Sequence, residues 1–132
     1  MQDKESLYPN DWFVKGDSDL NAVEILLKAQ NLDIAAFHIQ QAIEKYLKGF
    51  LLGRGWSLVK THDLVDLLNE AVNYEPSFEK FRQLCIRVTE YYIEERYPFL
   101  VSSEFNKEEL EKQVEETKEL IDFIKQGKGK GI

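Results

Sequence analysis

The stretch from Ala35 to His62, AAFHIQQAIEKYLKGFLLGRGWSLVKTH, limits the fold more than any other part of the chain. Its spacing predicts a helix from Asp33 to Leu52. Ala36, Ile39, Ile43, Tyr46, Leu47 and Phe50 fall within about 100° of arc at 3.6 residues per turn, a full core face. The opposite side is not solvent-like, because Ile34, Phe37 and Leu52 sit there among His38, Gln41, Lys45 and Lys48. A helix apolar on both sides belongs at the centre of a bundle or at a subunit interface. Gly53 and Gly55 then end it.

The rest of the chain repeats the helical period. With three prolines and seven glycines in 132 residues, little interrupts it, and the fold class is all-α: a mostly up-and-down bundle of about five helices. Residues 1–16 read as a loose N-terminal segment anchored by Trp12 and Phe13. The helical domain covers 17–126, and the glycine-rich tail 127–132 reads as disordered. Asp17 or Ser18 is the expected cap of the first helix, which carries Leu20, Val23, Leu26, Leu27 and Gln30 on one side and a Glu24–Lys28 pair outside. That helix should end near Asn31. In the connection 53–61, Trp56 should fold back over a helix end. Thr61 is the expected cap of a third helix with stripe Leu64, Leu67, Leu68 and Ala71. Pro76 opens a fourth, running to about Glu95 and burying Phe78, Phe81, Cys85, Val88 and Tyr92. Asn106, with Glu109 three residues on, should cap the last, whose buried side is Leu110, Val114, Leu120, Ile121 and Ile124.

Charge narrows the function classes. A net charge of −7 argues against coating nucleic acid through the overall field. From His38 to His62, however, Lys45, Lys48, Arg54 and Lys60 face one anion, Glu44, so an anionic ligand is to be sought there. The lone Cys85 cannot form an internal disulfide and reads as an inert buried thiol. No cysteine–histidine cluster suggests a metal, and no cofactor is implied. No apolar run approaches the ~20 residues of a membrane span and no leader opens the chain, so the expected location is the cytoplasm, away from membranes.

Several polar groups are candidates for a site. His38, Gln41 and Lys45 share one face of the second helix, either as a phosphate or base site or as the polar rim of a dimer contact. Glu44 and Lys48 read as an i,i+4 surface pair, with Lys48 also a ligand candidate. His62 falls in the first turn of the third helix, where backbone N–H groups could bind an anion; it serves there, closes the loop, or acts as general acid or base. Arg96, at the end of the fourth helix beside the rigid Tyr97–Pro98 step, either grips phosphate or bonds its own helix carbonyls. Tyr91 and Tyr92 stack on a base or belong to core or interface.

Three pieces in order, AAFHIQQAIEKYLKGFLL, THDLVDLL and the RYP tripeptide Arg96–Tyr97–Pro98, resemble the HEPN domain, the "higher eukaryotes and prokaryotes nucleotide-binding" family. The resemblance covers about Trp12 to Ile124. It implies a helical bundle that usually forms homodimers. It also implies, for short members with RYP, complexes with minimal nucleotidyltransferases, often as toxin–antitoxin modules. Another branch comprises metal-independent ribonucleases with an arginine and a histidine a few residues apart. The arginines here are Arg54, Arg82, Arg87 and Arg96, and the only downstream histidine, His62, follows Arg54 with seven residues between, across a loop. The preferred expectation is therefore a non-catalytic homodimer, with no catalytic residue assigned. It binds a nucleotide or RNA, or a nucleotidyltransferase partner, through Lys45, Lys48, His62, Arg96 and Tyr97, with His38, Gln41 and Glu44 on the polar face. The alternatives are a divergent ribonuclease toxin and a purely structural dimerisation module.

Overall fold

The helix over Leu32–Gly53 (α2) is the element around which the others pack, and fourteen of its 22 residues are buried. The computed structural model describes residues 6–92 and 105–130. Around α2 stand α1 (Pro9–Lys28), α3 (Leu64–Tyr74), the short α4 (Arg82–Val88) and α5 (Lys107–Lys130). The described residues contain no strand, and the all-α bundle of five helices stands. Every residue of the expected α2 core face is buried, as are the apolar stripes of α3 and α5.

The first helix starts earlier than its polar residues suggest. Pro9 takes the first helical position, where its missing N–H costs nothing, so Asp17 and Ser18 lie inside α1 and cap nothing. The run Asp17-Ser18-Asp19 instead turns acidic groups toward α2: Asp17 accepts from the Tyr46 hydroxyl, and Asp19 accepts from His38 and Lys45. The expected Glu24–Lys28 pair gives way to Glu24 with Lys118 of α5, at 3.3 Å.

Two glycines set how closely α1 and α2 approach. A Cβ on Gly16 would stand 2.6 Å from Tyr46 Cδ2, and one on Gly49 would stand 2.6 Å from Phe13 Cε1. Each glycine thus admits an aromatic ring from the facing helix. Phe13 and Tyr46 then stack with centroids 4.9 Å apart, which locks the register of the pair.

The helices α1 and α2 end in the same way. After α2, Gly55 takes φ +90, its N–H bonds Leu52 O, and Trp56 N–H bonds Leu51 O. This is a Schellman closure, and Trp56 folds back onto the core as its hydrophobic contact. After α1, Gln30 takes φ 62 in the equivalent position, with Gln30 N–H to Leu27 O and Asn31 N–H to Leu26 O.

The remaining boundaries differ in detail. The cap of α3 is Asp63, not Thr61: its carboxylate accepts from Val65 and Asp66 N–H, while Thr61 Oγ1 accepts from Asp63 N–H. The expected long fourth helix is broken into a 3₁₀ segment Pro76–Phe81, α4, and a 3₁₀ turn Thr89–Tyr91. Such tighter turns are frequent at α-helix ends. Phe78, Phe81, Cys85 and Val88 are buried as expected, whereas Tyr92 is only half-buried and the expected end near Glu95 lies outside the described residues. Phe78 packs edge-on to Phe50 and Phe123, tying this region to α2 and α5. Asn106 caps α5, accepting from Glu109 N–H at 2.9 Å. The helix continues through 127–130, so that part of the expected disordered tail is helical. Burial of Cys85 pushes its thiol up to about 12. Among the described residues, no helix is long and apolar enough to cross a membrane.

Candidate functional site

Glu44 and Lys48 are not a surface pair. Their side chains are 4% and 2% exposed, with Lys48 Nζ 2.9 Å from Glu44 Oε2. Burying two charges is costly unless their remaining hydrogen-bonding capacity is met. Here the carboxylate is served from two further sides. Gln40 Nε2 donates to Glu44 Oε1 at 3.1 Å, and His62 Nδ1 lies 3.1 Å from both carboxylate oxygens. The Lys48 ammonium also sits 5.3 Å from the centroid of Trp12, over its ring.

His62 is positioned twice over. Its backbone carbonyl accepts from Gln40 Nε2 at 2.9 Å, pinning the loop before α3 to α2. Its ring stacks on Tyr92, centroids 4.0 Å apart and planes 14° from parallel. Because a carboxylate accepts and does not donate, Nδ1 carries the proton that Glu44 binds. This leaves Nε2 as an acceptor on a side chain that is 44% exposed. The backbone N–H groups once expected to attract an anion beside His62 are taken. Leu64 N–H donates to Thr89 Oγ1, and the next two donate to Asp63. His62 precedes α3 rather than lying in its first turn.

A second unit of the same chemistry lies along α2. Asp19 accepts from His38 Nδ1 at 2.8 Å and from Lys45 Nζ at 2.7 Å. Phe37 connects the two units, edge-on to His38 at 5.3 Å and tilted against Tyr92 at 6.1 Å. Gln41 is half-buried between them, its Nε2 donating to Gln40 Oε1 at 2.7 Å.

The structure therefore brings Gln41, Glu44, Lys48 and His62 into one cluster and places His38 and Lys45 in the next. Both lysines spend their charge on internal carboxylates, so neither offers a free cation. Arg96 and Tyr97 lie outside the described residues. Three contributors escaped the sequence reading. Gln40 at four residues before Glu44 was legible in principle as an i,i+4 partner. Nothing local marked Asp19 or the Trp12 ring over Lys48. Among the described residues no group of three or more His, Cys, Asp or Glu side chains is arranged to hold a metal ion.

The chain belongs to the HEPN domain family, whose model matches residues 9–127. Among solved structures it is similar to a protein of Thermus thermophilus, with a TM-score of 0.75 and 25% identity over 89% of this chain and 96% of that one. It is also similar in fold to an archaeal HEPN homologue, with a TM-score of 0.73 and 18% identity over 90% and 96% of the two chains. No curated protein matches it.

Proposed function

We propose that this chain is a non-catalytic HEPN subunit that binds a nucleotide at the His62 edge and works beside a minimal nucleotidyltransferase as one half of a toxin–antitoxin pair. The observation that carries the nucleotide reading is the Glu44–His62–Tyr92 arrangement. An imidazole fixed through Nδ1 and backed by a parallel ring presents a flat outer face for a base and, in its doubly protonated form, an Nε2–H that donates to a phosphate. The partner reading rests on the family, whose short members commonly pair with such enzymes, and a homodimer is proposed on the same ground. Titration of ATP, GTP and UMP against the purified chain tests the first part. His62→Asn keeps a donor near Nδ1, removes Nε2, and should lower affinity about tenfold. Equal affinity of the variant would remove His62 from the site. Co-purification with a minimal nucleotidyltransferase tests the second part.

The same pair favours a second reading, a divergent metal-independent ribonuclease. A carboxylate that orients an imidazole and leaves its far nitrogen exposed is the arrangement of a general acid or base. In that case RNA is cleaved in EDTA, and His62→Asn and Arg96→Ala each abolish cleavage. Intact RNA after prolonged incubation with the wild-type chain sinks this reading and leaves the first standing.

A further inference from the structure

Helix α1 turns Phe13, Gly16, Asp19, Val23 and Leu27 inward. On its opposite side Val14 and Ile25 stand 58% and 69% exposed. One exposed apolar residue needs no explanation. These two, however, lie on one line with the uncharged Ser18 and Asn21. Steps of four, three and four along the chain keep all four within about 60° of arc, the spacing of a coiled-coil seam. Asp11 and Lys28 extend the line by one step at each end. They are exposed too, as are Ser18 and Asn21.

The seam complements itself in one orientation. A dyad midway between Ser18 and Asn21 brings a second α1 alongside antiparallel. Val14 then meets the second copy's Ile25, Ser18 meets its Asn21, and Asp11 meets its Lys28. Every contact occurs twice, as a twofold interface requires. The central layers are small and hydrogen-bonding, the next are apolar, and the outermost pair opposite charges. A parallel pairing would set Asp11 on Asp11 and Lys28 on Lys28, which is repulsive. Lys28 is available for this contact, because Glu24 bonds Lys118 of α5 instead. Asp11 accepts from the exposed Ser6 hydroxyl at 2.7 Å and remains accessible. The flank brings Asp17 near Glu24 of the other copy. Both are already engaged within their own protomer, by Tyr46 and Lys118.

We infer that the outward face of α1 is a contact surface whose occupant is a second copy of this chain, docked antiparallel through Asp11, Val14, Ser18, Asn21, Ile25 and Lys28. This inference rests on the homodimer reading and supplies the surface for it. Because α1 packs its other face on α2, the contact lies on the far side of α1 from Glu44 and His62.

Sedimentation velocity over a dilution series tests it, with circular dichroism confirming that each variant folds. The wild-type chain should be dimeric at micromolar concentration. Ile25→Glu should raise the dimer dissociation constant at least about a hundredfold, since a twofold contact feels each change twice. Asp11→Lys should also weaken the dimer. Asp11→Lys combined with Lys28→Asp should restore it, because the outer pairs are reversed yet still opposite. Mild oxidation reads the orientation. Val14→Cys mixed with Ile25→Cys should cross-link, whereas Val14→Cys alone should not, its two copies lying roughly 16 Å apart along an antiparallel pair. A dimer that survives Ile25→Glu and both charge variants unchanged overturns this surface and leaves the homodimer standing on another face. A monomeric wild-type chain overturns both. An intact dimer whose Ile25→Glu variant no longer co-purifies with a minimal nucleotidyltransferase assigns the seam to that partner and overturns the second copy.

Discussion

At the scale of single residues, the decisive group is Lys48, because a charge placed where α2 has no solvent forces its surroundings to be polar. Glu44, Gln40, Gln41, His62 and Trp12 answer that demand together. Glu44→Ala should leave a buried unpaired ammonium and cost about 3–5 kcal/mol in urea unfolding. The double variant Glu44→Gln with Lys48→Met should recover most of that loss. Failure of the recovery would mean that Glu44 stabilises the fold chiefly through His62. Two other buried residues make an alkaline prediction. Burial raises the Cys85 thiol to about 12 and, with Asp17 beside it, pushes the Tyr46 phenol well above its usual range. Folded, both hold their protons more tightly than the ordinary values of 9.0 and 10.0 that apply to the unfolded chain. Their contribution to stability is therefore complete below pH 9 and is lost as pH rises toward 12. Urea midpoints should fall over that window, and less steeply in Tyr46→Phe. Glu44 and Lys48 were legible as a pair in the sequence; their burial was not, because it depends on Trp12 and His62 arriving from elsewhere.

At the scale of elements, helix ends and the α1–α2 contact carry the testable energetics. Gln30 and Gly55 occupy the same left-handed position in two like closures, yet an L side chain is strained there and glycine is not. Gln30→Gly should stabilise by about 0.5–1 kcal/mol and Gly55→Ala should destabilise by a similar amount, read as opposite shifts in thermal midpoint. Gly49→Ala should cost about 1–3 kcal/mol, since Phe13 has no room to retreat beside Tyr46. A neutral result would show that the two helices slide apart easily. The glycine after α2 could be read in the sequence as a stop. The end of α1 near Asn31 could be read too, but the left-handed residue at Gln30 could not, because glutamine carries no such signal. For the same reason the start of α1 was missed: Asp17 and Ser18 look like a cap, while Pro9 marks the true start.

At the scale of the whole molecule, the outer side of α2 faces a choice between ligand and second copy. Half-buried Phe37 sits between His38 and Tyr92. If that surface binds a nucleotide, Phe37→Glu should weaken nucleotide binding and leave the sedimentation behaviour unchanged. A dimer that becomes monomeric in the variant would assign the face to subunit contact instead, the structural reading of the same residues.

What the sequence determined by itself was the periodic part: an all-helical bundle, the α2 core face, the stripes of α3 and α5, and membership of a family recognised from three ordered segments. Apolar spacing is local, and burial follows it wherever helices pack. What the tertiary structure decided was the role of each polar residue. Lys45 looked like a free cation on a basic stretch until α1 supplied Asp19, and Lys48 looked like half of a surface pair until packing buried it with Glu44. His62 looked like part of a helix N-terminus until Gln40 and Glu44 fixed it against Tyr92. Hydrogen-bond partners come from distant points of the chain, so a residue's charge is visible in sequence while its availability is settled by packing.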